Sequence, residues 1–321
     1  MEKLLIASIF CFLFIFFGTK HLKKYLEKKK FFDIPNERSS HIKSIPKGGG
    51  WIIIFCIVGI ILFFDPYDKN PAIITILMLS TLSWFDDIKM INPFIRLLFQ
   101  VLFISFYFFF LYFSGFYQQN NINHIIFTIV LFSWFINIFN FMDGVDGITP
   151  SMSITILLGI TFAYLTNKSS YFPAFEIVSI IACLSFLYWN WTPAKIFLGD
   201  VGSIFLGFLC ALSLYWLYLE GHTWHWVLSL PMYYILDTSL TLIKRVFEKK
   251  KIWQAHNEHF YQKAVQSGMS HSEVVKSIII LQILVIITCY FIKNPYLVVS
   301  LTFLESIGLI IYFSSKYKKS T

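Results

Sequence analysis

The chain has 321 residues, 57% of them hydrophobic and 14% charged, with a formal net charge of +8. That balance excludes a soluble domain of this length and makes the chain a polytopic membrane protein. Its five cysteines all lie in apolar runs and none forms a CxxC, which argues against a disulfide or zinc framework and for reduced packing residues.

Crossing about 30 Å of hydrocarbon takes roughly 17–25 apolar residues. About eleven segments qualify, near 3–19, 49–65, 70–86, 94–115, 124–142, 149–166, 174–190, 202–219, 224–243, 274–292 and 295–315. Only helices or closed barrels span a bilayer, and these runs are too long and uniformly apolar for barrel strands, so the predicted fold is all-α. The first run sits where a signal peptide would. Lys20, Lys23, Lys24 and Lys28 to Lys30 follow it without a small-residue cleavage site, so it reads as a retained anchor.

Positive charge sets the orientation. All Lys and Arg except Lys3, Lys69, Lys168 and Lys293 fall on one side of these spans. That side is taken as cytoplasmic, with loops near 19–48, 86–93, 143–149, 190–201 and 244–273. The N-terminus is then outside and the C-terminus in the cytoplasm. A basic cytoplasmic face suits anionic lipid heads or phosphorylated substrates. With no internal repeat visible, residues 1–321 read as one integral membrane domain.

Each acidic motif falls on that same side. The loop 19–48 carries Arg38, Lys43 and Lys47, the last in a Pro-Lys-Gly-Gly-Gly stretch (46–50) that alone reads as a flexible turn. Asp86 and Asp87 end the third span; as a plain stop signal they would repel one another, and a cation would relieve them. Asn137, Asn140 and Asp143 recur at three-residue spacing to give a polar stripe on an apolar helix, which a simple Asp-Gly turn at 143–144 or 146–147 does not require. Asp200, in the Gly-Asp-Val-Gly-Ser stretch 199–203, opens the eighth span. It reads either as a helix cap or as a hard oxygen donor for Mg²⁺ beside a phosphate-binding helix start. Asp237 lies two turns before the end of the ninth span. His256 and His259 are three apart, which is not the HisXXXHis zinc spacing, and a solvated pair is the plain alternative. Glu305, alone in the last span, reads as a neutralised, hydrogen-bonded packing residue.

Taken together, Asp86-Asp87, Asn137–Gly147 (NIFNFMDGVDG) and Phe197–Ser203 (FLGDVGS) resemble the polyprenyl-phosphate N-acetylhexosamine-1-phosphate transferases. This is the glycosyltransferase 4 superfamily that includes the phospho-MurNAc-pentapeptide translocase. The resemblance covers nearly the whole chain from Asp33 to about His271. It implies Mg²⁺, with Mn²⁺ as an alternative, on Asp200 together with Asp87. It also implies Asn137, Asn140, Asp143 and Asp146 for the nucleotide-sugar and Phe197 for the uracil. The histidine loop looks more like the O-antigen-initiating subgroup than the translocase.

The reaction so implied joins undecaprenyl phosphate to the sugar 1-phosphate of a UDP-N-acetylhexosamine and expels UMP in a bacterial inner membrane. Asp86 and Asp87 are then the catalytic pair, expected to position substrate and metal first and to act as a base only secondarily, because a phosphate monoester is already mostly dianionic at neutral pH. Arg38, Lys43 or Lys47 would hold phosphate oxygens, and His256 and His259 the sugar or leaving phosphate. The expected partners are the two substrates and membrane lipids, without nucleic acid and with a homodimer left open. A polyprenyl-lipid transporter or a non-catalytic lipid-binding platform are the rival readings. Transporters, however, place such charges near the midplane of related halves.

Overall fold

The computed structural model describes residues 2–35, 43–64, 69–115, 122–167, 169, 171–221, 223–254 and 256–320. Helix α1 (Glu2–Lys28) leads into a two-stranded antiparallel hairpin, β1 (Phe32–Asp33) and β2 (Ile45–Pro46). Then follow α2 (Gly50–Phe64), α3 (Lys69–Lys89), α4 (Pro93–Phe113), α5 (Ile122–Phe141), α6 (Ile148–Thr166), α7 (Ala174–Asn190) and α8 (Asp200–Leu219). The chain ends with α9 (Trp224–Ser229), α10 (Met232–Phe247), α11 (Phe260–Gln266), α12 (His271–Phe291) and α13 (Pro295–Ser320).

Every predicted apolar segment coincides with helix. Among the described residues, eight helices are long and apolar enough to cross a membrane, while α2 and α7, at 15 and 17 residues, are shorter apolar helices. The protein is an all-helical, multi-pass membrane protein.

The structure corrects the sequence reading in three places. The ninth segment is not one span: α9 stops after six residues, and Pro231, which has no N–H to continue a ladder, stands before α10. The loop expected from residue 19 begins only after Lys28, because the basic residues there extend α1 rather than end it. The loop expected from 244 starts after Phe247 and contains α11.

The bundle is arranged around α8. Of its apolar window 89% is buried inside the protein, against 17% for the peripheral α1. Apolar burial does not drive association in lipid, so shape and edge-to-face aromatic packing must hold such helices together. Phe108 of α4, Phe132 of α5 and Tyr215 of α8 meet in this way at centroid distances of 4.8–5.8 Å. Thr288 of α12 donates a hydrogen bond to Glu305 of α13 at 2.7 Å, which gives Glu305 its partner.

This packing brings the ends of α3, α5 and α7 to the same end of the bundle as the starts of α4, α6, α8 and α12. The segment after β2 is zipped onto the turn before α8. Phe197 N–H donates to Pro46 O (2.8 Å), and Gly49 and Gly50 N–H donate to Phe197 O and Leu198 O (2.9 Å each). A Cβ on Gly50 would lie 2.3 Å from Gly202 Cα. The glycine stretch 48–50 is thus a close backbone contact rather than the flexible turn its composition suggests.

Candidate active site

Asp86 and Asp87 occupy the last turn of α3. Adjacent helical residues point about 100° apart, so the two carboxylates cannot share one set of partners. Asp86 turns toward α4, where its carboxylate accepts from Ile91 N–H (2.7 Å) and Arg96 Nη1 (2.6 Å). Asp87 turns toward α8, with Lys47 Nζ at 3.3 Å and the Val201 N–H at 3.3 Å. Asp200 opens α8, where the helix dipole favours an anion, and Arg96 Nη1 reaches its Oδ2 at 3.4 Å. Arg96 therefore stands between Asp86 and Asp200. Gly199 has φ +76°, and a Cβ there would sit 2.9 Å from Asp87 Oδ2, so only glycine lets the Asp87 carboxylate lie against this turn.

Of these groups, Lys47, Asp87, Gly199 and Asp200 line a polar cavity of about 230 Å³. Lys47, Asp87, Asn140, Asp143, Asp146, Phe197 and Asp200 all face it, joined by Asp33, Asn190 and Gln262. Asp200 is more open than Asp87: 36% of its side chain is accessible, against 5%. Asn140 Nδ2 donates to Ser203 Oγ at 3.1 Å, tying α5 to the first turn of α8.

Asp143 lies just beyond α5. Burial, and then the carboxylates of Asp200, Asp87 and Asp146, push its pKa up to about 7. Asp146 behaves oppositely. Burial opposes its ionisation, but the His271 ring 3.3 Å away and the hydrogen bond from the Ala194 N–H (3.0 Å) outweigh that and hold it below the usual carboxylate range. Asn190 completes this turn by accepting from Gly147 N–H and donating to Ile196 O.

Several expected residues stand apart from the cavity. Asp86 is turned to Arg96. Asn137 lies one turn deeper and donates to Gln100 Oε1 and Ser133 O, both at 2.8 Å. Lys43 is exposed and does not line it. Arg38 lies outside the described residues.

His256 and His259 are in extended chain before α11 rather than on a helix; their rings stack at 4.9 Å. Burial, followed by His259 and Arg245, lowers His256 to about 4, so it is neutral at pH 7. His259 is buried and donates from Nδ1 to Asp237 Oδ1 at 3.0 Å. Asp237 also accepts from Phe260 N–H, Tyr261 N–H and Tyr233 Oη, at 3.0–3.1 Å. It is the fastener of the α11 loop. That helix in turn sends Gln262 into the cavity and Tyr261 Oη to Phe141 O, 3.1 Å away.

Sequence reasoning missed Arg96, Asn190, Gln262 and His271. A signal existed for the first alone: an arginine in the opening turn of a helix opposes the dipole, and a local carboxylate is the usual reason.

Among the described residues, no three His, Cys, Asp or Glu side chains approach closely enough to cage a metal. Asp87 and Asp200 do offer hard carboxylate oxygens to one cavity. That suits an ion such as Mg²⁺, which is commonly held by one or two carboxylates plus waters and substrate phosphates.

A polar, carboxylate-rich cavity at one end of an apolar bundle, away from its middle, defines a membrane-embedded enzyme rather than a transporter. The profile described as "Glycosyl transferase family 4" matches residues 70–218. A probable undecaprenyl-phosphate N-acetylglucosaminyl 1-phosphate transferase of Bacillus subtilis (strain 168) is 26% identical over 94% of this chain and 88% of its own length. An undecaprenyl-phosphate alpha-N-acetylglucosaminyl 1-phosphate transferase of Thermotoga maritima is 27% identical over 78% of this chain and 79% of its own. A phospho-N-acetylmuramoyl-pentapeptide-transferase of Chlorobium phaeobacteroides is 30% identical over 57% and 61% respectively. Residues 70–218 match glycosyl transferase family 4, and together with these relatives they mark the chain as a glycosyl-1-phosphate transferase.

Proposed function

We propose that the protein transfers an N-acetylhexosamine 1-phosphate from a UDP-sugar to undecaprenyl phosphate, releasing UMP, on the cytoplasmic side of a bacterial inner membrane. The product would prime a cell-surface polysaccharide such as an O-antigen. The observation that carries this reading is the meeting of Asp87, Asp200, Asp143 and Lys47 in one cavity at the end of the spans. A polyprenyl phosphate anchored in the bilayer presents its phosphate at that depth, and a nucleotide-sugar arrives from the aqueous side. The names of the Bacillus and Thermotoga relatives make UDP-GlcNAc the first donor to test.

Since one pyrophosphate bond forms as another breaks, catalysis reduces to alignment and charge neutralisation. Lys47, already 3.3 Å from Asp87, is placed to move onto a phosphate oxygen. Phe197 offers its ring as a stacking wall, and Asn140 and Asp146 offer polar contacts to the nucleotide-sugar. Asp87 and Asp200 would hold Mg²⁺. When bound, the ion neutralises charge on the diphosphate. Asp86 supports the site through Arg96, which keeps Asp200 oriented.

The test is UMP release by purified protein with undecaprenyl phosphate, Mg²⁺ and one UDP-N-acetylhexosamine at a time, with Asp200→Asn alongside. Lipid-dependent UMP from one donor, lost in the variant, is the expected result. Release that is indifferent to undecaprenyl phosphate, or undiminished in Asp200→Asn, would overturn the assignment.

A further inference from the structure

On the side of α11 away from the active-site cavity, α10, α11 and the end of α13 enclose a second polar hollow of about 580 Å³. Lys244, Lys250, Phe260, Lys263, Ser314 and Tyr317 are on its wall. Four cations and two carboxylates stand around it, and the carboxylates are already engaged. Glu258 is bound by Arg245 (2.6 Å) and Lys250 (3.1 Å), and Glu248 by Lys250 (2.7 Å) and Lys244 (3.5 Å). Lys263 is half-buried over the Phe260 ring, 5.3 Å from its centroid. Burial, and then the Lys244 ammonium beside it, hold Lys263 below the usual lysine range. Lys244, Lys250 and Lys263 all line the hollow, and cations around it outnumber carboxylates, so it asks for a further anion.

The surroundings say which kind of anion. Ser314 and Tyr317 lie near the end of α13, where its apolar sequence gives way to Lys316, Lys318 and Lys319, so the hollow is at the depth where hydrocarbon gives way to headgroups. On the adjoining turn of α10, Val246 and Phe247 are 59% and 82% exposed. Phe247 is three residues after Lys244 and so shares its helix face. An ammonium pair bordered by unpacked apolar side chains fits a phosphate that carries acyl chains better than a free ion.

We propose that this hollow binds the headgroup of an anionic phospholipid, and that its occupancy steadies α11. Phe260 and Lys263 face the lipid, while their neighbours Tyr261 and Gln262 reach Phe141 O and the active-site cavity. A bound headgroup thus ties the membrane surface to the loop that carries His256 and His259. The effect on turnover rests on the transferase reading above; the binding site does not.

The experiment uses the full chain in nanodiscs of phosphatidylcholine with or without phosphatidylglycerol. Native mass spectrometry counts retained phosphatidylglycerol, and UMP release is followed in parallel. The proteins are wild type, Lys244→Gln/Lys263→Gln, Lys244→Arg/Lys263→Arg, and Lys20→Gln/Lys24→Gln on distant α1. Wild type should retain phosphatidylglycerol and turn over faster with it. The double Gln variant should bind it about fivefold more weakly per lysine removed and lose the stimulation. The Arg variant and the α1 variant should match wild type, and added inorganic phosphate should not substitute.

Equal retention in wild type and the double Gln variant, an equal loss in the α1 variant, or replacement of the lipid by inorganic phosphate would each overturn the proposal. If no donor is turned over in any lipid, the transferase reading fails, and retention alone still decides the lipid site.

Discussion

Asp200, at the start of α8, and Asp237, inside α10, are both aspartates in an apolar bundle, yet their surroundings assign them opposite work. Asp237 is fully buried, and four donors from α10, α11 and His259 engage its two oxygens at 3.0–3.1 Å. A carboxylate so engaged holds structure together and has little left for a substrate. Asp200 is open to a cavity and has Arg96 at 3.4 Å, long for a charge-assisted bond. The lesson is that unspent acceptor capacity, rather than residue type or position in a motif, separates a working carboxylate from a fastening one.

The sharpest way to break that contrast is Asp200→Asn, for which we expect turnover to fall by about 10³-fold with folding intact. UMP release and thermal unfolding in detergent measure the two effects separately. Asp237→Asn should do the reverse. It sets an amide group against N–H donors in a buried site and should cost about 2–4 kcal/mol of stability. Its thermal transition should drop, with turnover lost only as far as α11 is displaced; an unchanged transition would deny Asp237 its fastening role.

Arg96→Met removes the group between Asp86 and Asp200. A fall of roughly 10- to 100-fold in turnover is expected, the range for losing a partner of a metal ligand, with partial recovery in Arg96→Lys. Wild-type activity in Arg96→Met would show that Asp200 needs no such support.

The smallest effect is a pH dependence. The folded-state pKa of Asp146 is depressed below its ordinary value of 3.8. Its contribution is therefore fully present above the unfolded value and lost as pH falls through the folded one. Asp146→Asn should be less stable than wild type near neutrality, and the gap should close below about pH 4. Unfolding midpoints measured across that window would show it, and a constant gap would contradict the assignment.

Much of this was legible in the residues. A bilayer imposes a length and a polarity on each span, so the apolar runs could be counted, and their helices appear where expected. The exception, the break at Pro231, carried its own warning. The order of Asp87, Asn140, Asp143 and Asp200 also foretold a shared pocket, because each fell at or near a span end on the same side. What could not be read was how that pocket divides its partners. Nothing in Asp86-Asp87 says that one faces Arg96 and the other the cavity, and nothing in Asn137–Asp143 says that Asn137 stays below it with Gln100. The glycines at 48–50 looked like slack until Gly50 was seen against Gly202.

By itself, then, the sequence determined the all-helical membrane class, the approximate spans and the set of groups available for chemistry. Transfer free energy and charge belong to each residue and add along a chain. Only the tertiary structure decided which carboxylates are satisfied and which are left for a ligand. A hydrogen bond is made or lost within a few tenths of an ångström, and that scale is set by helices far apart in sequence.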